Sequence, residues 1–249
     1  KVTYLREINT DDINKDKNFS FIYSKNPIIE KIYNSKHYLF GDICNINQGI
    51  ALKGDKTLSL KQDNQNNDYY KLIDGKNINK YIIEWEGVYL DYNIKRIHSC
   101  KRKDIFQTAE KLLFRRVSSS LIFTYDNSNF FTLNTLIVVN KKDDKLDMDL
   151  KFILSLMNST LMNFIYLQKY KSTKKVFSEI QARSIKKLPI PFVSTETQAP
   201  FIEKVNKILA LKKADAKADT SALEREIDFM VYELYGLSEE EIRIVEGGE

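Results

Sequence analysis

The chain has 249 residues, 43% hydrophobic and 29% charged, enough apolar material for one large domain or one domain with an appendage. Two cysteines, Cys44 and Cys100, exclude the disulfide framework of a small secreted scaffold and make a reducing, cytoplasmic setting the expectation. The net charge of +5 is uneven: residues 1–192 carry 32 Lys and Arg against 21 Asp and Glu, and residues 193–249 carry 7 against 13, so the body suits a polyanionic ligand and the tail does not.

The opening KVTYLREINTDD lacks the basic region followed by an apolar one that a secretory leader has, and without an initiating Met it reads as cut from something longer. From Tyr38 the pattern predicts short strands between polar loops: YLFGDICNINQGIAL, YYKLI, YIIEW and GVYLDY, rich in Tyr, Ile, Trp and Val. The Asn/Gln-rich LKQDNQNNDYY between them has no apolar period and reads as a disordered or a contact loop. KLLFRRV, SLIFTYD and FFTLNTLIVVN give three further strands, with DNSN at 126–129 as a hairpin turn between the last two.

The pattern then turns helical. Asp147 or Asp149 can cap a helix whose Leu150, Ile153, Leu154, Met157, Leu161, Phe164 and Ile165 recur at intervals of three and four. Ser155, Asn158, Ser159, Thr160 and Asn163 interrupt this run well short of the roughly 20 apolar residues a membrane span needs, so no membrane partner is expected. In LPIPF, Pro189 and Pro191 are expected to stop regular structure. Three helices follow, with capping pairs at Thr195 and Gln198, Ser221 and Glu224, and Ser238 and Glu241. The stripes Phe201, Ile202, Val205, Ile208, Leu209 and Leu223, Ile227, Met230, Val231, Leu234 predict a pair of facing helices.

Catalytic signatures are missing. There is no dinucleotide or Walker glycine loop and no Gly-x-Ser-x-Gly elbow. Asp143-Asp144-Lys145 and Asp149-Leu150-Lys151 have a nuclease-like Asp-x-Lys spacing but lie in a charged connection, so they read as solvated charge. His37, Cys44, His98 and Cys100 do not match a finger or ribbon spacing, so no metal is expected. No catalytic residue is assigned. What remains is a set of basic clusters with hydroxyl and amide neighbours, the mix that contacts phosphate oxygens: Lys95, Arg96, Lys101, Arg102 and Lys103; Arg115 and Arg116; Lys169, Lys171, Lys174 and Lys175. On a strand Arg115 and Arg116 point to opposite faces, so one is expected to face the ligand and the other to form a structural ion pair.

In order along residues 38–247, these segments resemble the C-terminal specificity domain of TaqI-like adenine DNA methyltransferases and of the fused type IIG restriction-modification enzymes. The marks are GDICNINQGIALKGD, YYKLIDGKNINKYIIEW, KLLFRRVSSSLIFTYDNSNFFTLNTLIVV, FILSLMNSTLMNFIY, KKLPIP and ELYGLSEEEIRIVEG. The Asn-Ser and Pro-Ile-Pro portion is also similar to the recognition domains of type I specificity subunits. The resemblance implies an α+β fold in which a mixed β platform forms a DNA target-recognition domain over 36–192, with a helical docking appendage over 193–249. Residues 1–35 would be a linker from an N-terminal methyltransferase domain of the same parent chain. It implies double-stranded DNA as partner and no cofactor in this part, S-adenosylmethionine in the parent, and magnesium there if the parent also cleaves. Lys and Arg of the clusters would hold phosphates, and Gln48, Lys53, Gln62, Asn64 and Arg96 would read bases from loops. Three other readings stay open: a protein-interaction scaffold with an incidental basic surface, half of a type I specificity subunit, and an enzyme whose catalytic site no motif reveals.

Overall fold

A computed structural model describes residues 26–63, 68–142, 147–170 and 178–247, with the backbone alone at Ser178. The chain divides into two compact units, residues 1–35 and 36–249. In the first, helix α1 (Pro27–Asn34) begins with Pro27 in its first turn, and Asn26 Oδ1 accepts hydrogen bonds from the amides of Ile28 (3.0 Å) and Ile29 (3.4 Å).

In the second unit β1 (His37–Leu39) and one helical turn, α2 (Phe40–Ile43), lead into β2 (Cys44–Gln48). The chain then makes an excursion through β3 (Ala51–Leu52), β4 (Leu60–Lys61), β5 (Tyr70–Ile73), β6 (Ile78–Asn79), β7 (Ile82–Ile83), β8 (Tyr89–Leu90) and β9 (Ile97–Ser99). It returns in β10 (Lys111–Arg115), followed by β11 (Val117–Ser118), β12 (Phe123–Asp126), β13 (Phe131–Thr132) and β14 (Leu136–Lys141). Helices α3 (Leu150–Asn158) and α4 (Thr160–Tyr170) come next, then β15 (Ser178–Glu179), the turn α5 (Ala182–Ile185) and β16 (Pro189–Pro191). The tail is α6 (Thr195–Ala214), α7 (Ser221–Leu234) and α8 (Glu239–Val245).

The central sheet has the order β12-β10-β14-β2 and is antiparallel throughout. It is covered on both faces, which is why LLF in β10 and LIVVN in β14 are unbroken apolar or buried runs instead of alternating ones. On one face Leu113, Leu136 and Val138 join the core of the excursion with Leu72, Ile73, Leu90, Ile97, Phe106 and Phe131. The opposite face carries Phe114, which stacks on Phe123 with ring centroids 4.7 Å apart, and α3 packs there. The excursion has its own sheet, β13-β5-β8-β4, in which β13 runs parallel to β5.

Several sequence expectations change. The DNSN turn is not a hairpin: β12 pairs with β10, whereas β13 pairs with β5 in the other sheet. The cause is Asp126. Its carboxylate accepts from the amides of Ser128 (2.7 Å) and Phe130 (3.0 Å) and meets Lys111 Nζ at 2.6 Å, with both charged side chains fully buried. A satisfied ion pair in the core thus steers the chain from one sheet to the other. Burial outweighs the attraction of Asp126 at Lys111 and holds the ammonium pKa below its ordinary value.

The single helix expected from 150 to 165 breaks at Ser159, and the two pieces are bent by 64°. Asp149 caps α3 through the amide of Lys151 (2.6 Å). Ser159 Oγ then accepts from the amide of Met162 (3.1 Å), and Asp228 of α7 takes the amide (2.7 Å) and hydroxyl (2.6 Å) of Thr160, so the second helix has its own start. Among the described residues no single helix is long and apolar enough to cross a membrane.

Pro189 and Pro191 do not end regular structure. They form β16, which pairs with β1 alone, and the missing proline donors are tolerated because neither strand is flanked on both sides.

The tail helices begin close to the expected positions but with shifted caps. Ser194 caps α6, and Gln198 turns inward: its Nε2 donates to Asp147 O (2.7 Å) and its Oε1 accepts from Asp149 N (2.9 Å). Thr220, not Ser221, bonds Glu224 (2.7 Å). The Ser238 and Glu241 capping box forms as read. Helix α6 packs on α3, with Phe201 edge-on to Phe152 at 5.3 Å, and α7 packs on α6 and α4.

Candidate nucleic-acid interface

Three short motifs far apart in sequence meet where β2 ends. Gly49 N donates to Leu136 O (3.0 Å), Ile50 N to Thr132 O (2.8 Å), and Asn134 N to Ile50 O (2.9 Å). A Cβ on Gly49 would lie 2.3 Å from Leu133 O and 2.5 Å from Thr132 Oγ1, so the backbone passes only because this residue is glycine. Gly75 N donates to Thr135 Oγ1 (2.9 Å), which brings the Asp74–Asn77 turn to the same place. Gln-Gly-Ile, Asp-Gly-Lys-Asn and Leu-Asn-Thr therefore build a junction that aims the excursion away from the central sheet.

Within the excursion two 3-10 turns lie side by side, Lys56–Leu58 and Ile94–Arg96. Each is closed by an acidic or amide side chain two residues back. Asp55 Oδ1 accepts from Thr57 N (2.9 Å), and Asn93 Oδ1 from Lys95 N (3.0 Å). Their flanks are joined by the β3–β9 and β4–β8 ladders and by Lys53 N to Arg96 O (2.8 Å) and Asp91 N to Ser59 O (2.9 Å). Lys53, Lys56 and Lys95 are exposed here. Lys56 was missed in the sequence, although the paired Asp-x-Thr and Asn-x-Lys spacings signal two such turns.

The structure places the other candidates in differing roles. Arg96 Nη1 donates to Leu58 O (2.8 Å) and meets Asp91 at 3.1 Å, so its guanidinium braces the two turns. Lys101 and Arg102 are exposed, and Arg102 pairs with neighbouring Asp104. Lys103 lies between two rings, 4.8 Å from the centroid of Tyr70 and 4.6 Å from that of Tyr92, and its Nζ donates to Tyr70 OH (3.0 Å). Gln48 is exposed at the motif junction and bonds Asn134 O (3.4 Å). Gln62 is exposed beside β4, and Asn64 lies outside the described residues.

Both arginines of β10 and its extension turn inward. Arg115 donates to Ile78 O and to Asn79 Oδ1 (3.2 Å), which fixes the β6–β7 hairpin. Arg116 is the expected ion-pair partner, with Nε 3.4 Å from Glu179. Lys169 is on the last turn of α4, while Lys171, Lys174 and Lys175 lie outside the described residues. Lys53, Arg96 and the 101–103 cluster are thus brought onto the excursion, and the 115–116 and 169 positions are not. A cleft of about 540 Å³ between the β6–β7 hairpin, the 126–129 turn and α6 is lined by none of the candidate residues. A surface with fixed cations can hold a long polyanion.

Residues 70–190 match the TaqI-like C-terminal specificity domain family. No curated protein sequence matches the chain. Among solved structures, the type IIL restriction-modification enzyme MmeI in complex with DNA is 11% identical over 85% of this chain and 35% of its own, with a TM-score of 0.58, which shows a shared fold. The type IIG restriction endonuclease BpuSI is 13% identical over 84% of this chain and 33% of its own, at 0.48. The HsdS subunit from Thermoanaerobacter tengcongensis is 12% identical over 90% of this chain and 52% of its own, at 0.40. The chain spans about a third of the length of the first two.

Proposed function

Since residues 70–190 match the TaqI-like C-terminal specificity domain family, we propose that the chain is the target-recognition part of a restriction-modification enzyme. It would bind a short sequence in duplex DNA and hold it for adenine methylation, in a type IIG arrangement also for cleavage, by domains outside residues 1–249. The observation that carries this reading is the coincidence of that match with an excursion from a rigid, two-faced sheet that carries braced, lysine-bearing turns. Lys101 and Arg102, with Lys53, Lys56 and Lys95, would contact phosphates, and Gln48 and Gln62 remain the exposed candidates for base contacts. S-adenosylmethionine and magnesium would be bound by the partner domains. The free thiols of Cys44 and Cys100 suit a reducing cytoplasm.

A titration of random duplex DNA by fluorescence polarisation at two or more salt concentrations tests the reading. With about six phosphate contacts, the log-log slope of affinity against salt should be about −5. A flat response, or no binding at low salt, favours the scaffold reading. The chain alone is expected neither to methylate DNA with S-adenosylmethionine nor to cut it with magnesium.

A further inference from the structure

Two large apolar side chains of the excursion stand in solvent on its paired 3-10 turns, Leu58 and Ile94, each 56% exposed. Leu58 is the last residue of the first braced turn and Ile94 the first of the second. The lobe core does not need them: Leu90 and Ile97, four and three residues from Ile94, are fully buried in it, and Leu60, two residues from Leu58, packs against it. Nor can the turns readily fold them inward. Arg96 is bonded to Leu58 O and paired with Asp91, and Asp55 and Asn93 close each turn from within. The result is a preorganised apolar patch with Lys53, Lys56 and Lys95 exposed around it.

The chemistry that complements such a patch is a channel with anionic walls and apolar groups on its floor. The major groove of duplex DNA has this form: phosphates line both edges, and the 5-methyl of thymine is the apolar group its floor presents. We propose that Leu58 and Ile94 are specificity-determining residues that pack on thymine methyl groups, with Lys53, Lys56 and Lys95 on the flanking phosphates. Arg96 is then a positioning residue for both turns. The assignment rests on the reading of the chain as a DNA-recognition domain.

The test uses the full chain. Selection from a randomised duplex pool gives the preferred sequence, and each thymine in it is replaced singly by deoxyuridine, which removes the methyl and leaves every hydrogen-bonding group. One or two replacements should weaken binding about fourfold, the worth of one buried methyl. In L58A or I94A the same replacement should have no effect at the matching position. R96Q should blunt both methyl responses together. Equal affinity for thymine and uracil at every position overturns the assignment. So does a rise in 2-aminopurine fluorescence at one base step without a uracil effect, which would make the patch an intercalating wedge. If wild type binds no duplex at any salt, the recognition reading itself fails, an outcome separate from the other two.

Discussion

At Gly49 the fold depends on the absence of one carbon. Gly49→Ala should cost about 2–3 kcal/mol, because the added methyl meets a backbone carbonyl held in a junction of three motifs and cannot be relieved by a rotamer change. For a chain of this length that lowers Tm by roughly 5–10 °C in a thermal melt. Cys44 acts through pH. Buried in β2, its thiol is pushed up to about 12 by desolvation, against the opposing charges of Lys141 and Lys142. The unfolded thiol, at its ordinary value of 9.0, ionises first, so the folded state binds more protons between pH 9 and 12 and stability falls as pH rises through that window. At pH 10 the effect is about 1.4 kcal/mol. Urea denaturation of wild type and Cys44→Ala from pH 8 to 10.5 should show the variant less stable at pH 8 and losing less on the way up. Lys111, whose depressed pKa acts in the opposite direction, is common to both proteins and cancels in the difference.

Between elements, two buried amide side chains act as backbone substitutes. Asn158 accepts from Phe123 N (2.9 Å) and donates to Phe123 O (3.0 Å), so the end of α3 closes the free edge of β12. Gln198 does the same for the loop at 147–149 from α6. Asn158→Ala leaves the Phe123 amide buried and unpaired, while its carbonyl keeps the amide of Tyr81 (3.2 Å), and should cost about 1–3 kcal/mol. In hydrogen exchange the Phe123 amide should lose protection more than those of β14. The amide of Asp149 should respond likewise to Gln198→Ala.

These bonds also mark where the sequence was legible. The apolar period located helical structure from Leu150 onward, and the runs KLLFRR and LIVV located the central strands, since local periodicity records burial directly. Periodicity could not show that Asp228, 68 residues away, would receive the amide of Thr160 and start a new helix, or that Lys111 would bury the charge of Asp126 and deny DNSN its hairpin. The candidate site was legible only in part for the same reason. Lys53 and Arg96 share a site through a cross-strand hydrogen bond, and Arg115 and Arg116 look like ligand contacts until the carbonyl of Ile78 and the carboxylate of Glu179 occupy them.

On the scale of the whole unit, residues 36–249 form one compact body, and the tail is built into it. Phe201 meets Phe152, Asp228 caps α4, and Tyr235 OH donates to Pro189 O at 2.8 Å. Removing residues 194–249 would expose α3 and α4, so the truncated chain should show no cooperative melting transition by circular dichroism. A truncation that melts like the full chain would make the tail separable.

The bracing of the two 3-10 turns bears on how such a protein changes its preferences over generations. Arg96 belongs to one turn and its acceptor, Leu58 O, to the other, with Asp91 completing the brace. A chimera that imports one turn from a relative would leave that guanidinium with a mismatched carbonyl or the carbonyl with no guanidinium. The segments 53–59 and 91–96 therefore form one heritable cassette split across the sequence, and new preferences should be transplanted only when both halves travel together.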